Sequence, residues 1–426
     1  MRISEFRKAG HTPSLIAGFL YFDVSFMAWV LLGPLGPFIA ETYKLSATQK
    51  GFLVALPLLA GSFFRPILGV LGDVLGPRRA GIVGLTVTLV PLLLGWRLAS
   101  SLQSFYLIGF LLGIAGASFA VALPLAGTWY PPEYQGLAMG IAGAGNSGTL
   151  LATLFAPRLA QAFGWPNAFA LAMAPVALVL ILYSLMAKDS PKRPPRPAWK
   201  DYVAVFKEAD TGWFCLFYSF TFGGFVGLAS FLTLFFHDQY HLPKVRAGDF
   251  TTFVVIAGSF LRPVGGWLAD RIGGYRLLLC LLAGVGCCLT AISSLPALPM
   301  LVPLLFVCMG MLGMGNGAIF QLVPQRFPKQ VGVVTGLVGA AGGFGGFLLP
   351  SLLGAIKDRT GEYGVGLLVF AIAFLVASAL LLLRGTAWSA IGTRRSPTAQ
   401  VCFAFAALRG TWSLLKRTES QLWRGL

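Results

Sequence analysis

Ala60-Gly61-Ser62-Phe63-Phe64-Arg65-Pro66 puts a permanently charged guanidinium inside an otherwise apolar run from Gly51 to Gly72. A second copy, Ala257-Gly258-Ser259-Phe260-Leu261-Arg262-Pro263, differs at one position and lies 197 residues later. Asp73, Gly76 and Arg79 follow the first copy, and Asp270, Gly273 and Arg276 follow the second at the same offset. A guanidinium is a planar fork of donors, so two of them together are suited to gripping a planar oxyanion in bidentate fashion. An arginine in mid-membrane costs about 2.5 to 3.5 kcal/mol on insertion scales, so a pair needs a compensating partner. One acid lies well inside an apolar run, Asp23 in Tyr21-Phe22-Asp23-Val24-Ser25-Phe26. Ionised or protonated, a single carboxyl leaves the two arginines with net positive charge. Each arginine could instead snorkel to an interface or bond backbone carbonyls; the twofold repeat argues for convergence on one anion.

The elements that must carry these groups are membrane helices. Hydrophobic residues make up 56% of the chain, charged residues 11%, and the mean hydropathy is +0.77, against about 25% charged in a soluble domain. The apolar runs are continuous and about 20 residues long, which fits helices and not the alternating segments of a barrel. Spans are expected near 13 to 40, 51 to 72, 80 to 98, 105 to 128, 136 to 157 and 167 to 187, then near 211 to 236, 249 to 269, 277 to 295, 300 to 322, 332 to 355 and 365 to 383. Arg65 then lies roughly 12 Å inside the membrane edge, near the midplane. The first run is too long for a signal-peptide core and is expected to stay as a span.

The stretch 188 to 210, with Pro191, Pro194, Pro195 and Pro197, reads as a stiff solvated linker between two six-helix halves, 1 to 187 and 211 to 384. A basic tail fills 385 to 426. Of the 32 Lys and Arg, 22 fall on the termini, the linker and the loops on their side, against 8 on the opposite loops. By the positive-inside rule both termini are cytoplasmic. The net charge of +17 therefore belongs to membrane topology and not to nucleic-acid binding. In the tail, Val401 to Leu408 is too short to span and with its basic neighbours is expected on the anionic inner surface or disordered. The cysteines read as apolar packers without metal-ligand spacing, and His237 and His241 as solvated loop residues. With no nucleophile, metal cluster, cofactor motif or Walker-type glycine loop, neither an enzyme nor an ATP-driven pump is expected.

Two spans are unusually rich in glycine. Gly143, Gly145 and Gly148 surround Asn146 and Ser147 on the fifth, and Gly339, Gly342, Gly343, Gly345 and Gly346 mark the eleventh. Such spacing lets helix backbones touch and slide, while the Asn146 amide requires a polar partner.

The duplicated Asp73/Arg79 and Asp270/Arg276 loops and the 6 + 6 layout resemble the major facilitator superfamily, which implies two pseudo-symmetric bundles rocking about a central site. The glycine signatures and the paired Ser-Phe-Phe/Leu-Arg-Pro motifs resemble the nitrate/nitrite porter family within it. That resemblance implies that Arg65 and Arg262 bind the anion and that Asn146 contacts it. Tyr218-Ser219-Phe220-Thr221-Phe222 is similar to the family's Tyr-x-x-x-Phe, which implies Tyr218 near the anion and Phe222 stacked on it, with Phe119 as the opposing wall. Asp23 resembles the acid of the proton-coupled branch. The function implied is proton-coupled nitrate import across a bacterial inner membrane, with nitrite also carried; nitrate/nitrite exchange is the alternative. Expected partners are nitrate, nitrite, protons and lipid, for a monomer without cofactor.

Overall fold

The computed structural model describes residues 3–191, 199–327 and 331–385. A short helix, α1 (Ile3–Ala9), precedes the membrane-length elements. These begin with α2 (Thr12–Trp29), α3 (Leu32–Tyr43), α4 (Ala47–Leu75), α5 (Pro77–Arg97), α6 (Leu102–Gly116) and α7 (Phe119–Gly127). Next come α8 (Pro132–Gly143), a 3₁₀ turn (Ala144–Ser147), α9 (Gly148–Phe163) and α10 (Trp165–Met186). The later part holds α11 (Trp199–Lys207), α12 (Ala209–Tyr240), α13 (Lys244–Phe260), α14 (Arg262–Ile272) and α15 (Gly274–Ser293). It closes with α16 (Leu298–Arg326), α17 (Val331–Thr360) and α18 (Gly364–Leu383). No strand occurs among the described residues.

Eleven helical stretches are long and apolar enough to cross a membrane. The remaining expected span, 136 to 157, is the one that the 3₁₀ turn interrupts. Three other spans are broken into two helices, at Val30–Leu31, Ala117–Ser118 and Leu261. Pro34 and Pro263 stand just after the first and third of these breaks, where a missing N–H and a fixed φ disfavour an uninterrupted ladder. Helix starts are set by local chemistry: the Ser46 hydroxyl accepts from the Gln49 N–H while Gln49 reaches back to the Ser46 N–H, a reciprocal cap on α4. The only four glycines at positive φ among the described residues form two pairs at the 197-residue offset. They are Gly76 (99°) with Gly273 (91°), and Gly164 (84°) with Gly361 (86°). Each ends one span and turns into the next in a conformation that a Cβ would strain.

Within 188 to 210 the structure differs from a plain linker, since α11 is helical and its Val205 is wholly buried. Pro194, Pro195, Pro197 and the tail from residue 386 lie outside the described residues. The core is formed where α17 runs along both α4 and α12, with α9 against α13 and α3 against α12. Helices early and late in the chain thus share one interior, which α4 helps form, while α14 packs on α16 and α15.

Candidate functional site

Arg65 is nearly sealed in α4, at 3% exposure. Its Nε donates to the Gly116 carbonyl at 3.0 Å, and its Nη1 donates to the carbonyl of Gly339 in α17. The first of these acceptors exists because of the α6/α7 break: the Ala120 N–H turns to Ala117 at 3.0 Å, so Gly116 has no intrahelical donor. Aromatic faces complete the surround, with the Arg65 Cζ 5.3 Å from the Trp29 ring, 5.1 Å from Phe222 and 6.0 Å from Phe119. Trp29 is in turn fixed by its Nε1–H, which donates to the Pro57 carbonyl at 2.7 Å.

Arg262 opens α14, and Pro263 follows it at a position where no helical N–H is needed. Its Cζ lies 5.2 Å from Phe320 and 5.8 Å from Phe119. The guanidinium lies within electrostatic reach of the Tyr218 hydroxyl, and its buried Nη1 has no hydrogen-bond partner among the described residues. Both guanidiniums therefore lie near the Phe119 ring. Tyr218 and Phe222, one turn apart on α12, stack at 5.1 Å with their planes within 5°. Phe320 closes on Tyr218 edge-on at 5.0 Å. A guanidinium laid on an aromatic face keeps its N–H edge free, and that edge is what a planar oxyanion would meet.

The glycines make this geometry possible. A Cβ on Gly342 would strike the Tyr218 ring at 2.6 Å and the Phe222 ring at 2.9 Å. One on Gly345 would strike the Ser219 carbonyl, and one on Gly346 would come within 2.7 Å of Val226. Gly343 packs on Ser62 and on the Leu58 carbonyl, and Gly339 lies beside Arg65. Across the molecule Gly145 abuts Phe22 and Gly148 abuts the Asp23 carbonyl, whereas Gly143 faces nothing within 4 Å. Asn146 lies in the 3₁₀ turn at 1% exposure, with neither amide atom hydrogen-bonded.

Asp23 is not the counter-charge of the arginines. Its Oδ1 accepts from the Ser147 hydroxyl at 2.6 Å, and it takes part in no ion pair among the described residues. The arginines instead use backbone carbonyls, the Tyr218 hydroxyl and aromatic faces. Of the loop residues, Asp73, Arg79 and Arg276 are exposed, and Asp270 is half-buried beside Gln321. His237 bonds the Leu242 carbonyl through Nδ1 at 2.8 Å, and His241 ends α12 at φ 53°.

Ion pairs and caps between the early and late parts of the chain gather at one end of the helices, whereas at the other end Arg326 pairs with Asp210 and Arg78 bonds Asp189 within each part. The Asp358 carboxylate, on α17, accepts from the N–H groups of Ala47 and Thr48 at 3.0 and 2.8 Å, capping α4. Lys50 pairs with Asp238 at 2.8 Å, Arg158 pairs with Asp249 at 2.7 Å, and Lys244 pairs with Glu41. Toward the other end, a Cβ on Gly140, Gly332 or Gly336 would meet nothing within 4 Å.

Sequence reasoning missed Trp29, Gly116, Ser147, Asn316 and Phe320. Only Asn316 carried a visible signal, an amide between Gly315 and Gly317 within an apolar span.

Residues 17–350 match the family model for the Major Facilitator Superfamily. The chain is 34% identical over 376 residues to the probable nitrate/nitrite transporter NarK2 of Mycobacterium tuberculosis, covering 86% of this chain and 95% of that one. It is 32% identical over 370 residues to the nitrite extrusion protein of Bacillus subtilis, covering 87% and 91%. Among solved structures, a bacterial homolog of the human lysosomal transporter Spinster aligns with a TM-score of 0.63 at 19% identity, covering 95% and 96%. That likeness concerns the fold.

Proposed function

The chain belongs to the nitrate/nitrite porter family of the major facilitator superfamily, and from that membership we propose that it imports nitrate, and nitrite with it, together with protons. It is a multi-pass membrane transporter and not an enzyme. One observation carries the nitrate reading: Arg65 and Arg262, 197 positions apart, both approach the Phe119 ring, at 6.0 and 5.8 Å. Two forks flanked by aromatic planes suit a flat trigonal anion and would crowd a tetrahedral one.

The working cycle is alternating access. With both termini cytoplasmic, the Asp358 cap and the Lys50–Asp238, Lys244–Glu41 and Arg158–Asp249 pairs lie at the outer end. Gly140, Gly332 and Gly336, without near neighbours, lie toward the cytoplasm. This supports reading the present arrangement as sealed outside. Anion entry draws Arg65 from the Gly339 carbonyl, loosening α4 from α17.

An inside-negative potential opposes anion uptake by about 2.3 kcal/mol per charge per 100 mV, so import needs coupling. Asp23 is the group proposed to take the proton. Protonated, it can no longer accept from Ser147 at full strength, so the 3₁₀ turn beside Asn146 feels its charge state. Exchange of nitrate for nitrite is the second reading, favoured by the likeness to a nitrite extrusion protein. Uptake into proteoliposomes under an inward proton gradient separates the two. Uptake into unloaded vesicles that collapses with the gradient supports symport, and uptake only after nitrite preloading overturns it in favour of exchange.

A further inference from the structure

Asn316 is wholly buried in α16, and neither Oδ1 nor Nδ2 has a hydrogen-bond partner among the described residues. Its neighbours fix its direction. A Cβ on Gly315 would meet Thr221 of α12 at 2.7 Å, and one on Gly317 would meet the Arg262 carbonyl of α14. At about 100° per residue, Asn316 projects between those two directions, toward the space between α12 and α14 from which Tyr218 and Arg262 come. One turn further along the same row stands Phe320, 5.2 Å from the Arg262 Cζ and 5.0 Å from the Tyr218 ring.

The chain has three asparagines, Asn146, Asn167 and Asn316. Asn167 is bonded at the protein surface, its Nδ2 donating to the Phe163 carbonyl at 2.7 Å. Asn146 and Asn316 share the opposite condition, each flanked by glycine, buried and unbonded. A buried amide without partners is costly and rare in native proteins, so each calls for a ligand.

We propose that Asn316 is a second amide ligand of the anion and that it sets the preference for nitrate over nitrite. The inference rests on the nitrate reading above. With two oxygens gripped by Arg262, nitrate presents its third oxygen to an amide N–H at a position where nitrite has no oxygen. Asn316 thus discriminates by a hydrogen bond that only one substrate can complete.

Calorimetric titration of the purified full-length protein with sodium nitrate and with sodium nitrite tests this, using wild type, Asn316→Leu and Asn316→Asp. Leucine keeps the branched four-atom shape, though it is bulkier, and removes the unbonded amide, so a merely structural role predicts a change in thermal stability with nitrate and nitrite binding altered alike or not at all. The proposal predicts nitrate affinity lowered about tenfold, the worth of one hydrogen bond to a charged group, with nitrite affinity little changed. Asn316→Asp replaces the donor with an acid of the same shape and is expected to lose nitrate binding; it carries the test if the leucine variant does not fold. Nitrate affinity unchanged in the folded variants overturns the role of Asn316 alone. Wild-type protein that binds neither anion overturns the nitrate reading and this inference with it.

Discussion

Arg65 and Arg262 stand at matched positions of one repeat, yet their guanidiniums are engaged differently. Arg65 is bonded to backbone on both sides, to Gly116 in the early part of the chain and to Gly339 in the late part. Arg262 lies near the Tyr218 hydroxyl, and its buried Nη1 has no partner among the described residues. The crossings beside them differ in the same sense. Gly145 and Gly148 flank a 3₁₀ turn held by the Asp23–Ser147 bond, while Gly342 and Gly345, at the same offset, lie in the unbroken α17. Duplication preserved where the backbone turns and where charge is buried, and divergence changed what each charge holds. Arg65 ties the early and late parts of the chain together, while Arg262 keeps a buried donor unengaged among the described residues, and both are proposed to meet the anion.

The strongest way to break this contrast is to exchange each fork for a point charge. Arg262→Lys and Arg65→Lys are each expected to lower nitrate uptake about a hundredfold, since a charge-assisted bidentate contact is worth roughly 2 to 3 kcal/mol. The contrast predicts a raised KM for Arg262→Lys and, for Arg65→Lys, a fall in maximal rate as well, because the tie to α17 is lost. Counterflow kinetics read the split, and near-normal uptake by either variant would contradict the site.

Gly148→Ala and Gly345→Ala come next. Each Cβ would run into a backbone carbonyl, of Asp23 or of Ser219, and overpacking of this kind costs about 1 to 3 kcal/mol. The unbroken α17 has less slack than the 3₁₀ turn, so Gly345→Ala is expected to lower the midpoint of thermal unfolding further. Equal losses would mean that the interruption gives no freedom.

Asp23→Asn sharpens the contrast on the other side. The amide oxygen still accepts from Ser147, so folding and neutral-pH uptake should persist while stimulation by external acid disappears. Acid stimulation that survives would remove Asp23 from coupling. The smallest effect is expected for Asp358→Ala, which deletes the cap of α4 at about 1 kcal/mol. Because that cap ties α4 to α17 at the far end from the arginines, the expected result is greater cysteine-reagent access from outside with nitrate affinity unchanged.

The architecture was legible because membrane spans are long apolar runs and the 197-residue echo is a matter of spacing. The bends were less so. Pro263 marks its break in the sequence, but nothing comparable stands at Ala117–Ser118, whose consequence, a released Gly116 carbonyl aimed at Arg65, depends on tertiary contact. The structure brings the arginines, Tyr218, Phe119 and Phe222 close to one another. Trp29 and Phe320 were invisible among 10 tryptophans and 35 phenylalanines, because an aromatic residue on an apolar helix gives no sign of which face it occupies. Asp23 shows the limit most plainly. Charge balance suggested an arginine partner, whereas the chain brings it to Ser147, a residue that composition does not distinguish from any other helix serine.

The central claim is that two arginines from matched repeats grip one planar anion. Calorimetric titration of the purified protein with nitrate, in the presence and absence of sulfate, tests it directly when repeated on the Arg65→Lys/Arg262→Lys double variant. The account predicts one nitrate per chain in the wild type, no competition by tetrahedral sulfate, and no measurable binding in the folded double variant. Nitrate binding of equal strength in the double variant would contradict it.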